Sequence, residues 1–192
     1  MTGAASNSGT VAPGSPAQVF LLTSAVVGST QAVTPGKGIH ITSPGKVRVY
    51  LVFADAFGTT KPREATLVLP TPVLGTSHQV ASFGEPNFVP GQTSFVVLGV
   101  TNGTTVTVQI AAPVVESFTF TLNQGDAWRY TANLNIQAKV TGTSAIALFS
   151  ATSESRTNQP SVFGTVNPNP ILEQMPPSDL YGMRHLVGPT LL

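Results

Sequence analysis

The apolar residues of this chain recur at every second position in one segment after another. Val47, Val49, Leu51 and Phe53 alternate in "KVRVYLVF", Val106, Val108 and Ile110 in "TTVTVQI", and Phe118, Phe120 and Leu122 in "SFTFTL". Successive side chains of a strand point to opposite faces, so this spacing builds one apolar face, whereas a helix needs its apolar positions three and four apart. No segment keeps a helical stripe for ten residues. Helix is therefore limited to a single turn, placed around "PSDLYG".

"QVFLLT", "GIHIT", "SFVVLGV", "AWRYT" and "AIALFS" are further strands, rich in β-branched and aromatic residues. Turn signals separate them. "TNGT" at 101–104 places Asn-Gly between "SFVVLGV" and "TTVTVQI", and Asn-Gly supplies the positive φ angles of a tight hairpin. "NQGD" at 123–126 reads as a second reversal, joining "FTFTL" to "AWRYT". Many short strands with turns at close intervals predict an all-β, antiparallel, sandwich-like fold. Residues 150–170 have no sustained period and read as a long loop.

Two phrases resemble each other. "LVLPTPVLGTSHQV" at 67–80 is echoed by "EQMPPSDLYGMRHLV" at 173–187. Upstream, Ile41, Thr42, Val47, Val49 and Tyr50 align with Val140, Thr141, Ile146, Leu148 and Phe149, and Pro70, Gly75, His78 and Val80 then fall on Pro176, Gly182, His185 and Val187. The order predicts an internal repeat of about 100 residues and two related halves. The expected organisation is a flexible leader over 1–17, a first β unit over 18–115 and a second, truncated unit over 116–192. No counterpart of "TNGT" follows the second phrase, so either the second copy is degenerate or the chain is a fragment whose architecture continues past Leu192.

Composition narrows the function. A chain of 192 residues buries roughly 70% of its unfolded surface, enough for a real core. Charged residues make up 9% and the net charge is +1, with Lys and Arg scattered, so no basic stripe tracks a nucleic acid. No apolar run is long enough for a membrane-spanning helix, and the first residues lack the pattern of a signal peptide. With no cysteine there is neither disulfide nor thiolate chemistry. A surface of hydroxyls and amides rather than charges suits extracellular material.

Nothing in the pattern demands catalysis. No two carboxylates have a spacing that pairs them, and no nucleophile elbow or phosphate loop is present. His40, His78 and His185 lack metal-ligand spacing, so no metal or cofactor site is assigned. His78 and His185 read as strand positions that pack a ring. Trp128 and Tyr130 alternate on one strand, either as a sugar-stacking platform or, more plainly, as core. Asn102-Gly-Thr is formally a glycosylation acceptor, but its turn role already accounts for it. Asp55 with Lys61, Arg63 and Glu64 forms a small charged cluster, the rim of a contact or an ordinary solvated loop.

The phrases "GIHITSPGKVRVYLVF", "REATLVLPTPVLGTSHQVASF", "SFVVLGVTNGTTVTVQI", "FTFTLNQGDAWRY" and "ILEQMPPSDLYG" occur here in an order similar to that of the N-terminal domain of the IgGFc-binding protein family. The resemblance spans roughly residues 18–190. It implies a secreted, β-rich, non-enzymatic interaction or scaffold module, with a protein or glycan partner such as immunoglobulin Fc or mucin. It also implies that the aromatic positions of relatives are occupied here by His78 and His185. The chain departs from the family in having no cysteines after Phe149 and in lacking the earliest strands before Gln18. A subunit of a fibre, sheath or adhesive coat, built by self-association through unpaired strand edges, is the alternative.

Overall fold

The computed structural model describes residues 30–54, 62–82, 93–155 and 169–182. Eleven strands run through them: β1 Val33–Thr34, β2 Val49–Ala54, β3 Pro62–Val68, β4 Ser77–Ala81, β5 Thr93–Gly99, β6 Thr104–Ala112, β7 Glu116–Leu122, β8 Ala127–Ala132, β9 Gln137–Gly142, β10 Ile146–Ser155 and β11 Asn169–Met175. They form a five-stranded sheet in the order β1-β8-β5-β10-β11, a four-stranded sheet in the order β4-β9-β6-β7, and a ribbon of β2 and β3. Every pairing is antiparallel. The two larger sheets draw strands from both sides of residue 115.

Alternation in sequence becomes alternation in burial. In β5, Thr93, Phe95, Val97 and Gly99 are buried and the residues between them are half-exposed; β6 does the same with Thr104, Val106, Val108 and Ile110. One core cluster joins Phe95, Val97, Trp128, Tyr130, Ile146 and Leu148 of the larger sheet to Val80, Val106, Val108, Ile110, Leu122 and Val140 of the other. This is the face-to-face packing of a sandwich, in which each strand lends one side to the interior. At its open side, β7 exposes Ser117, Thr119 and Thr121 while Phe118 and Phe120 reach inward. Phe120 stacks on Trp128 with ring centroids 4.7 Å apart, and Phe118 lies 5.4 Å from the same ring.

The turns depart from expectation in an informative way. "TNGT" is no hairpin: β5 is flanked by β8 and β10, β6 by β7 and β9, and the turn carries the chain from one sheet to the other. "NQGD" likewise crosses from β7 to β8. Only Gly103 (φ 71°) and Gly125 (φ 82°) have positive φ in these turns. A single left-handed glycine reverses the chain whether its flanking strands lie side by side or face each other across a core, so the local signal could not separate the two. Here a hairpin within a sheet joins β6 to β7 instead, through a cis Ala112–Pro113 bond and the exposed Val114 and Val115.

Other expectations shift by smaller amounts. "GIHIT" is not a strand, and Ile39 and Ile41 are half-exposed. That segment is held by a glycine pair, the Gly38 N–H donating to Gly125 O at 2.7 Å. A Cβ on Gly38 would lie 2.9 Å from Gly125 Cα. β2 begins at Val49, which leaves Val47 outside the strand and exposed. The first part of the long loop, through Ser155, continues β10. The expected turn around "PSDLYG" is present as a short 3-10 helix, Ser178–Leu180, and a second one spans Thr71–Val73. "QVFLLT", His185, Asp55 and Lys61 lie outside the described residues, while Arg63 and Glu64 fall within β3.

A repeat of about 100 residues is not confirmed, since Ile41 and Thr42 lie in no strand whereas Val140 and Thr141 belong to β9. What coincides is narrower. β2 and β3 pair as β10 and β11 do: Val49 opposite Val68 and Tyr50 opposite Leu67 match Leu148 opposite Met175 and Phe149 opposite Gln174. Each second strand is followed by a proline in extended conformation and a 3-10 turn, at Pro70 with Thr71–Val73 and at Pro177 with Ser178–Leu180. Structure thus sets Pro70 against Pro177 rather than Pro176.

Candidate functional site

The first phrase and the described part of the second, residues 173–182, meet in space, and His78 is where they lock. Its side chain is fully buried. Nδ1 lies 3.2 Å from Met175 O and Nε2 3.3 Å from Gly75 O, so the ring bridges the end of β11 to the turn before β4. A neutral imidazole can donate to only one of these carbonyls. Around it, Ser178 Oγ donates to Ser77 O at 3.1 Å, His78 forms a β-bridge with Pro177, and a Cβ on Gly75 would sit 2.6 Å from Pro177 Cβ. His78 therefore packs a ring at a strand position, as the sequence suggested, and its polar atoms are spent on the backbone.

Beside this junction β3 runs along β11. Here Gln174, almost wholly buried, accepts the Leu69 N–H through Oε1 at 2.6 Å, and its own N–H donates to Thr66 Oγ1 at 3.2 Å. Side-chain bonds replace a ladder, so the strands stand apart and a cleft of about 500 Å³ opens between them. Leu67, Leu69, Ile171 and Leu172 supply apolar walls, and Glu173 adds one exposed carboxylate. Sequence reasoning missed this cleft because it depends on two strands more than 100 residues apart coming together without pairing.

Backbone and side-chain amides dominate the sandwich end formed by the two inter-sheet turns. Asn102 Oδ1 accepts the Gln124 N–H at 2.9 Å and Asn123 Oδ1 accepts the Gly103 N–H at 3.2 Å, so each turn caps the other. Asp126, largely buried, accepts the Asn123 N–H at 2.9 Å and the Gly36 N–H at 3.2 Å. The result is a hydroxyl- and amide-rich surface fixed before any partner arrives. Asn102 thus fills the turn role expected of it.

Trp128 and Tyr130 are core residues, 2% and 4% exposed, and present no stacking platform. Burial, and then the neighbouring Glu116 carboxylate to which its hydroxyl donates at 3.2 Å, hold the Tyr130 phenol above its ordinary pKa of 10.0. The folded state thus favours the protonated phenol. That contribution is fully present below pH 10 and is lost as pH rises through the raised value. Tyr130→Phe is accordingly expected to flatten the alkaline end of a stability–pH profile measured by urea denaturation, while changing its neutral region little.

Among the described residues, no three of His, Cys, Asp and Glu come together in a way that could hold a metal ion, and no helix is long and apolar enough to cross a membrane. No curated protein and no solved structure matches the chain. Residues 64–191, which contain both echoed phrases, both inter-sheet turns and the cleft, match the family model described as IgGFc binding protein. The chain belongs to the IgGFc-binding protein family.

Proposed function

We propose that this chain is a non-enzymatic extracellular module that holds a protein or glycan partner in mucus, matrix or cell-surface material. The cleft between β3 and β11 carries this reading. It is concave, lined by polar and apolar surface in equal measure, and its base is pinned by two hydrogen bonds between Gln174 and the β3 side. Binding sites commonly combine apolar walls with a few fixed polar groups, and a rigid base reduces the ordering cost of association. With one carboxylate at hand, recognition rests on apolar contact and hydrogen bonds rather than ion pairs. Immunoglobulin Fc and mucin are the first partners to test.

The cleft makes a specific prediction. Leu67 is half-exposed and lines it. In surface plasmon resonance against Fc, mucin and a glycan panel, Leu67→Arg is expected to weaken binding at least about tenfold, the loss of one well-placed apolar contact. Leu134→Arg, at a residue also half-exposed but outside the cleft, should leave binding unchanged. Equal affinities for the two variants would remove the cleft from the interface, and no binding to any of these ligands would overturn the reading itself.

A further inference from the structure

The matched hairpins differ in what lies on their outer edges. β10 is covered on its outer edge by β5, antiparallel from Ile146 opposite Gly99 to Thr152 opposite Thr93. β2 has β3 on one side and, among the described residues, no strand on the other. The registers of the two hairpins run together from Val49 and Leu148 to Phe53 and Thr152, so the edge that β5 fills on β10 is the edge that no described strand fills on β2. Exposure agrees. Tyr50 is 56% exposed and Val47 is 49% exposed, while Phe149 is half-buried and Ile146 fully buried at the matching positions.

We infer that this outer edge of β2 pairs antiparallel with β2 of a second copy of this chain. An exposed strand edge offers a row of unpaired N–H and C=O groups, and natural edges are blunted by Lys, Pro or bulges. β2 reads Val-Tyr-Leu-Val-Phe-Ala, with neither Lys nor Pro, and its one register shift comes at the Phe53–Ala54 end. The partner that such an edge selects is an extended, uncharged, apolar segment, as β5 is for β10. Among the other described sheet edges, β1 has two residues, β3 and β11 face each other across the cleft, β4 is bridged at His78 by Pro177, and β7 exposes Ser117, Thr119 and Thr121, so β2 itself best meets the requirement. Antiparallel pairing of a strand with its own copy closes on a twofold axis, so one contact satisfies both edges and stops at the dimer.

The inference does not depend on the cleft having a partner. Sedimentation velocity of the full chain over a wide concentration range should show a reversible dimer, and Tyr50→Lys should raise its dissociation constant at least tenfold. Because the chain has no cysteine, Leu51→Cys and Val52→Cys, introduced one at a time and mildly oxidised, report the contact directly. At least one should give a covalent dimer, and Thr119→Cys on the β7 edge should not. A chain that stays monomeric throughout overturns the inference, as does a dimer that cross-links only through Thr119→Cys. A monomer that instead binds the synthetic β5 peptide Thr-Ser-Phe-Val-Val-Leu-Gly shows a strand-accepting edge with a different occupant, and also overturns it. The cleft is judged separately by Leu67→Arg, so either reading can fail alone.

Discussion

Gly99→Ala is expected to destabilise the chain by about 3 kcal/mol or more, the upper range for forcing an atom into a packed site. Gly99 ends β5 where the two inter-sheet turns converge. A Cβ there would collide with the backbone oxygen of Asn123 and approach Leu122 Cβ to 2.9 Å. Backbone cannot rotate away as a side chain can. Moving the 123–126 turn would also strain two bonds that tie it down, Gly99 N–H to Asp126 O and Gly125 N–H to Gly99 O, each 2.9 Å. Losing one such bond typically costs about 1 kcal/mol. Gly45→Ala is the matched control, because a Cβ there meets nothing within 4 Å and no positive φ is required; its effect should stay within about 0.5 kcal/mol. Comparable urea midpoints for the two variants would show that the turns are not packed as described.

Trp128→Ala should cost about 3–5 kcal/mol, as removal of a large buried ring does. The indole joins the sheets: Phe120 and Phe118 approach it from β7, and Phe95 at 5.8 Å and Tyr130 at 6.3 Å flank it within its own sheet. Its loss also strips the inner contact from the two half-buried phenylalanines of an edge strand, so the dye ANS should bind the variant before it unfolds. Total stabilities of about 5–15 kcal/mol are usual, so the variant will be close to unfolding at room temperature. As Trp128 is the single tryptophan, wild-type unfolding can be followed by fluorescence and both proteins by far-UV circular dichroism. A loss below about 1 kcal/mol would place the indole outside the core.

Most strands were legible from residue type because alternation is a local consequence of burying one face. Phe95, Val97, Val106, Val108 and Ile110 are all core, as their spacing requires. "GIHIT" had the same composition and failed as a strand, since a strand also needs a neighbour to take its backbone groups. The repeated phrase announced its own local form, proline then a 3-10 turn, in both places. It could not announce that the two forms pack against each other around His78, nor that Gln174 would hold β3 and β11 apart. For that reason the candidate cleft was invisible in the sequence while its lining residues were in plain view.

By itself, then, the sequence determined the all-β class, the inward face of each core strand, the glycine turns and the family, because these follow from periods of two and from backbone freedom at single residues. Tertiary structure decided which strands share a sheet, whether Asn-Gly makes a hairpin or a crossing, where the cleft opens and which edge has no partner among the described residues. Those outcomes depend on competition among distant strands for one another's edges, and that competition is settled by long-range packing rather than by local residue pattern.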